Sequence, residues 1–150
     1  MAYGPPLAAA ASVAAGVCGF IVPDLRHDEG GEFRAALSAP GLALIQMVTP
    51  VTRPERMAKL CAASQGFVYA VTMTGTTGRT AAVPGEVTRY LDAVSAAAKI
   101  PVCAGFGIRG PEQVKQLQGH VAGVIVGSAL VEILESGQDP ATFLRALRPS

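Results

Sequence analysis

The sequence has no tryptophan, and phenylalanine and tyrosine bring aromatic residues to only 5% of its 150 positions. Charge is also scarce: Asp, Glu, Lys and Arg make up 15% of the chain and balance to a formal +1. A chain of this kind has no clustered Lys/Arg face for nucleic acid and no polybasic segment for an anionic membrane. Cysteine is limited to Cys18, Cys61 and Cys103, an odd number at wide spacing with no CxxC pair and no Cys/His cluster. No zinc ligand set is therefore expected, and no cofactor is called for. Small thiols in apolar runs such as Gly16-Val17-Cys18-Gly19-Phe20 fit a reducing cytoplasm.

No charged residue occurs from Met1 to Pro23, which raises two alternatives. A secretory signal needs a positive segment ahead of its apolar stretch, and none is present. A transmembrane helix needs about 20 strongly apolar residues. This stretch is mostly alanine, is broken by Gly16 and Gly19, and runs into a strand-like Phe20-Ile21-Val22.

What the sequence does have is hydrophobic residues, half of the total, and they are organised. Apolar runs at Val17 to Val22, Leu42 to Val48, Phe67 to Val71, Pro101 to Ala104 and Ala122 to Val126 lack polar alternation. Strands covered on both faces read this way, as in a parallel sheet. Between the runs the period changes to that of helices. Pro54-Glu55 opens a helix with Met57, Leu60 and Cys61 on one face. Glu86 to Lys99 carries Val87, Tyr90, Leu91 and Val94 at i, i+3, i+4 and i+7. Pro111 stands at a first helical position, with Gly119 past the end. Ser128 is placed to cap Ala129 to Ser136, with Gly137 as the stop. Asp139-Pro140 starts a last helix bearing Phe143, Leu144 and Leu147. Helices are also expected over Gly31 to Ser38, burying Phe33 and Leu37, and over Leu7 to Ala15.

These β-α units recur roughly every 25 residues, the alternation of an α/β fold. A closed (β/α)8 barrel takes about 200 to 250 residues. The expectation is thus one domain over residues 1–150: a partial (β/α)8 TIM barrel of about five parallel strands with covering helices.

Three glycine-containing turns follow strands: Thr74-Gly75-Thr76-Thr77-Gly78, Gly105-Phe106-Gly107, and Gly127-Ser128 at a helix start. Glycine lets main-chain N–H groups approach an anion, and a helix N-terminus adds free donors and a favourable dipole. Any one such turn is adequately explained as a tight connection; all three together point to a phosphorylated small molecule. No acid-base or nucleophile cluster stands out. Asp24 at a strand end and His27 in a charged turn read as loop residues, and His120 falls at the end of the sheet away from the ligand loops.

Gly19-Phe20-Ile21-Val22-Pro23-Asp24-Leu25 resembles the fourth strand of tryptophan synthase α subunits. Gly66-Phe67-Val68-Tyr69 with Thr74-Gly75-Thr76-Thr77-Gly78 is similar to their sixth strand and loop. Gly105-Phe106-Gly107-Ile108, leading into Glu112-Gln113-Val114, resembles the seventh, and Val126-Gly127-Ser128-Ala129-Leu130-Val131 the eighth. The blocks agree in order and spacing from about Val17 to Gly137. The resemblance implies a lyase of tryptophan biosynthesis that cleaves indole-3-glycerol phosphate to indole and glyceraldehyde 3-phosphate. It implies phosphate binding by Gly78, Phe106, Gly107, Gly127 and Ser128, and substrate contacts by Tyr3, Tyr69, Thr77 and Gly105. It also implies a β subunit as partner. The family's catalytic Glu and Asp have no match here, so no catalytic residue is assigned and the isolated chain is expected to be inactive. Two departures stand out: Pro6 to Gly16 is shorter than the family's third helix, and Arg26 replaces a proline in a turn that meets the β subunit.

A different class of function remains open: a non-catalytic phosphate-binding half-barrel or interaction module. Another phosphate-binding barrel, such as an isomerase, would not share the Thr76-Thr77-Gly78 block. An open arc exposes sheet edges and its inner face, so homo-oligomerisation through those edges is expected of the isolated chain.

Overall fold

The computed structural model describes residues 5–23, 31–38, 41–72, 83–105 and 107–148. The apolar runs form strands β1 (Gly19–Ile21), β2 (Ala43–Ile45), β3 (Met47–Val48), β4 (Val68–Val71), β5 (Val102–Gly105) and β6 (Gly123–Ile125). Helices α1 (Pro5–Ala14), α2 (Gly31–Ser38), α3 (Pro54–Ala63), α4 (Gly85–Ala97), α5 (Pro111–Leu117), α6 (Ser128–Glu135) and α7 (Pro140–Ala146) lie between or after them.

Every strand pair is parallel, and β1 pairs with β2 while β3, β4, β5 and β6 form a four-stranded sheet in that order. A doubly wound sheet reverses its strand order at a switch point. Here order in space follows order in sequence throughout, the arrangement of consecutive βα units in a (β/α)8 barrel. The fold is a partial barrel.

The run from Leu42 to Val48, expected as one strand, serves two sheets. It divides at Gln46, which is buried. The Gln46 N–H turns to Ser64 Oγ at 2.8 Å, while its carbonyl accepts from Tyr69 N at 3.0 Å. One residue pair earlier, Gln65 stands in for a neighbouring strand: its side-chain oxygen accepts from Leu44 N at 3.0 Å, and its own N–H donates to the Leu44 carbonyl at 3.2 Å. The five runs thus form one continuous series, with β2 and β3 as two halves of the second.

Side chains alternate between two faces. Val68, Ala70, Val102 and Ala104 enter the main core with Leu60 and Cys61 of α3, Val87, Leu91 and Val94 of α4, and Val114 and Leu117 of α5. Leu91 and Val94 are fully enclosed, and burying such side chains stabilises by about 1.5–3 kcal/mol each. The opposite face carries Ile45, Tyr69 and Val71, packed with Ala43, Met47, Phe67 and Ile125. These residues all come from the strand runs. A further cluster of Ala9, Leu37, Leu42 and Leu44 seats α1 and α2 on β2.

The expected faces of α3 and α4 are the buried ones. Tyr90 is half-buried, donates its hydroxyl to the Val48 carbonyl at 2.8 Å, and has its phenol pKa pushed up by that burial. Phe143 in α7 and Leu147 just past its end reach the core but Leu144 is exposed: positions i and i+4 share a face and i+1 lies about 100° away. The expected burial of Phe33 concerns a side chain outside the described set. No helix among the described residues is long and apolar enough to cross a membrane.

Candidate functional site

Parallel pairing brings the strand ends level. Val71 is opposite Gly105 and Gly105 is opposite Ile125. With about 4.8 Å between neighbouring strands, the tips of β4, β5 and β6 span about 10 Å. The first two tips are tied directly: the N–H and Oγ1 of buried Thr72 both donate to the Gly105 carbonyl, at 2.8 and 2.7 Å.

Tyr69 and Gly105 meet on the inner face. A Cβ added to Gly105 would stand 2.2 Å from Tyr69 Oη and 2.6 Å from Cζ. The glycine is therefore a steric requirement of the phenol lying across it. Tyr69 is buried, and burial raises its pKa.

Two residues after the paired Gly105 and Ile125 in sequence come Gly107 and Gly127, on the connections that follow these adjacent strands. Gly107 adopts φ +79°, a left-handed conformation that suits glycine. Its loop is fastened on both sides. Ile108 is sunk into the core, while Gln113 donates from Nε2 to the Gly107 carbonyl at 3.1 Å and accepts at Oε1 from Arg109 N at 2.7 Å. Gly127 differs, with φ −115° and ψ −84° and, among the described residues, no atom within 4 Å of the point a Cβ would occupy. No neighbouring atom of the described residues calls for glycine there.

The sequence places Ser128 as the side-chain cap of α6. In the structure it is instead the first helical residue, Gly127 is the N-cap, and no side-chain capping bond forms. The Gly127 carbonyl accepts from Leu130 N and Val131 N, and Ser128 is exposed. By contrast Asp139 caps α7 as its sequence suggests, accepting from Ala141 N and Thr142 N.

The loop after β5 is joined to α6 by a forked ion pair. Arg109 Nη1 and Nη2 donate to Glu132 Oε2 and Oε1 at 2.8 and 2.6 Å. Hydrogen bonding from Arg109 holds the Glu132 carboxyl below its ordinary pKa.

Of the residues singled out in the sequence, Tyr69 and Gly105 are in contact, and Gly107, Gly127 and Ser128 stand on adjoining connections. Tyr3, Thr77, Gly78 and Phe106 lie outside the described residues, as do Asp24 and His27. His120 precedes β6, away from these strand ends, with Nδ1 at 2.6 Å from Asp92 Oδ1. No cluster of three or more potential metal ligands occurs among the described residues. Sequence reasoning passed over Thr72, Arg109, Gln113 and Glu132. Gln113 had a signal, since it is the third residue of a helix and such a glutamine commonly folds back on the chain before it. The Arg109–Glu132 pair spans 23 residues and had none.

Comparison with known proteins places this geometry in a family. The family model described as tryptophan synthase alpha chain matches residues 1–148. The tryptophan synthase alpha chain of Carboxydothermus hydrogenoformans is 45% identical over 122 residues, covering 81% of this chain and 46% of that relative. That of Solidesulfovibrio magneticus is 42% identical over 146 residues, 97% of this chain and 57% of the relative. Among solved structures, a chain of the tryptophan synthase α2β2 complex from Pyrococcus furiosus superposes with a TM-score of 0.84 at 33% identity, covering 96% of this chain and 59% of its own length. One from M. tuberculosis gives 0.80 at 35% identity, covering 97% and 53%. The chain thus spans about half the length of the curated relatives it matches. Within that span the strand order, the strand-end glycines and the whole-chain match agree: the chain belongs to the tryptophan synthase alpha chain family.

Proposed function

We propose that these residues form the phosphate-binding half of a site for indole-3-glycerol phosphate, the substrate of a retro-aldol lyase reaction that yields indole and glyceraldehyde 3-phosphate. The observation that carries this reading is the parallel register that sets Gly105 opposite Ile125, so that the glycine turns after β5 and β6 leave adjacent strand ends beside the Tyr69–Gly105 contact. Main-chain donors at Gly107, Gly127 and Ser128 would cradle the dianion, with the α6 dipole favouring its charge. Family resemblance adds Gly78 and Phe106 to the phosphate set, and Tyr3 and Thr77 to the substrate set. Tyr69, with Gly105 as the floor beneath it, borders the glycerol chain.

Cleavage needs a positioned acid-base to protonate the indole ring and to take the glycerol hydroxyl proton. Among the described residues every Asp and Glu belongs to a helix or its cap, and none stands on a strand. With no match in this sequence for the family's catalytic Glu and Asp, this favours a division of labour in which the described residues bind substrate and the acid-base lies outside them. The alternative, a phosphate-binding half-barrel without a catalytic role, shares the same binding step. The α2β2 complex of the Pyrococcus furiosus relative supports a β subunit as partner. Exposed Val17 and Ile21 beside β1 support self-association of the isolated chain. Its free cysteines suit a reducing cytoplasm.

Titration of the isotopically labelled chain with glycerol 3-phosphate tests the reading. The amides of Gly107, Gly127 and Ser128 should shift together and saturate, and no indole should form from indole-3-glycerol phosphate. Unmoved amides would overturn the phosphate assignment, and turnover by the purified chain would overturn the division of labour.

A further inference from the structure

We propose that Gln113, Arg109 and Glu132 form a positioning clasp that fixes the loop after β5 against α6, and so sets the affinity of the phosphate site; this rests on the phosphate reading above. The clasp has two joints. At the first, Gln113 closes on both ends of a three-residue segment, donating to the Gly107 carbonyl at 3.1 Å and accepting from Arg109 N at 2.7 Å. Ile108 between them is 5% exposed. The segment is thereby seated on α5, and with its carbonyl engaged the Gly107 peptide has little freedom to rotate.

At the second joint, Arg109 crosses to Glu132 through two parallel bonds of 2.8 and 2.6 Å. A single charge contact fixes a distance, whereas a two-pronged guanidinium–carboxylate contact also fixes an angle. Arg109 lies two residues past Gly107, and Glu132 lies one helical turn past Ser128. The bridge thus spans the two connections that carry the proposed phosphate donors.

α6 has need of such a strut. Ala129 is its only buried residue; Leu130 and Ile133 are half-buried, and Val131 and Leu134 are more than half exposed. α6 packs against α7, and the Arg109–Glu132 bridge ties it to the loop after β5.

Arg109 could instead be read as a phosphate ligand. Its two terminal nitrogens are both committed to Glu132, however, and the carboxylate offsets its charge. The two roles predict opposite results for one substitution. If Arg109 were a ligand, Glu132→Gln would free it and tighten anion binding. If the pair is a strut, Glu132→Gln and Arg109→Gln would both weaken binding, although they change net charge in opposite directions.

The experiment measures glycerol 3-phosphate binding to the full 150-residue chain from the Gly107, Gly127 and Ser128 amide shifts, with the thermal midpoint recorded alongside. Arg109→Gln and Glu132→Gln should each raise Kd about fivefold, the scale of a well-formed exposed ion pair, with the midpoint lowered by no more than about 4 °C. The exchanged pair Arg109→Glu/Glu132→Arg should return Kd to within about twofold of the original. Tighter binding by Glu132→Gln, or single variants that bind like the parent, would overturn the clasp and leave the phosphate reading intact. Failure of the parent chain to bind would overturn both.

Discussion

Replacing Gly105 by alanine tests the contact on which the substrate side of the site is built. The new methyl carbon would stand 2.2 Å from Tyr69 Oη, 2.6 Å from Cζ and 2.8 Å from Cε1, all inside any real carbon contact. Tyr69 cannot yield easily, because it is buried with Ile45 and Val71 and packed by Met47 and Ile125. Overpacking of this kind costs about 1–3 kcal/mol. For a chain of this size each kcal/mol lowers Tm by roughly 2–4 °C. Far-UV circular dichroism is the suitable probe, since the chain has no tryptophan to report unfolding by fluorescence. Gly105→Ala should therefore lower the midpoint by about 2–12 °C and weaken glycerol 3-phosphate binding. Tyr69→Phe in the same background removes Oη but leaves Cζ and Cε1 in place, so it should recover part of the loss and not all of it. A Gly105→Ala chain as stable as its parent, or two substitutions whose effects simply add, would refute the contact and the account of why glycine stands at 105.

Ser64→Ala should destabilise by about 2 kcal/mol in urea titration, because it strips the buried Gln46 N–H of its acceptor; Ser64 Oγ also donates to the Phe67 carbonyl at 2.6 Å. An effect below about 0.5 kcal/mol would mean that Gln46 does not depend on this bond to leave the strand ladder. Asp139 is held below its ordinary carboxyl pKa of 3.8, first by the Thr142 hydroxyl and then by the Ala141 and Thr142 amides. A depressed folded-state pKa gives stability that is present above the unfolded value and lost as pH falls through the folded one. The parent should therefore lose α7 stability below about pH 4, and Asp139→Asn should flatten that acid limb; an identical acid limb in the two chains would count against the cap.

Local physics made much of this protein legible in its sequence. Unbroken apolar runs of this length between helical segments are strands covered on both sides, so Phe67 to Val71 and Pro101 to Ala104 were evident as buried parallel strands. The i, i+3, i+4, i+7 spacing of Val87, Tyr90, Leu91 and Val94 announced the buried face of α4. The residues proposed for phosphate were visible because glycine after a strand has a narrow set of uses. Misplacements occurred where the outcome depended on partners far along the chain. Leu42 to Val48 reads as one strand, yet the hydrogen-bonding groups of Ser64 and Gln65 divide it at Gln46. Ser128 reads as a cap, yet the turn out of β6 puts Gly127 in that place.

The sequence by itself determined the element order, the parallel class and the strand-end glycines, because all three follow from patterns within a few residues of one another. Tertiary structure alone decided which strand ends stand level, why Gly105 must lack a side chain, and that Arg109 reaches Glu132. Those facts are distances between residues that are remote in sequence, set by strand register and helix packing, and no local pattern encodes them.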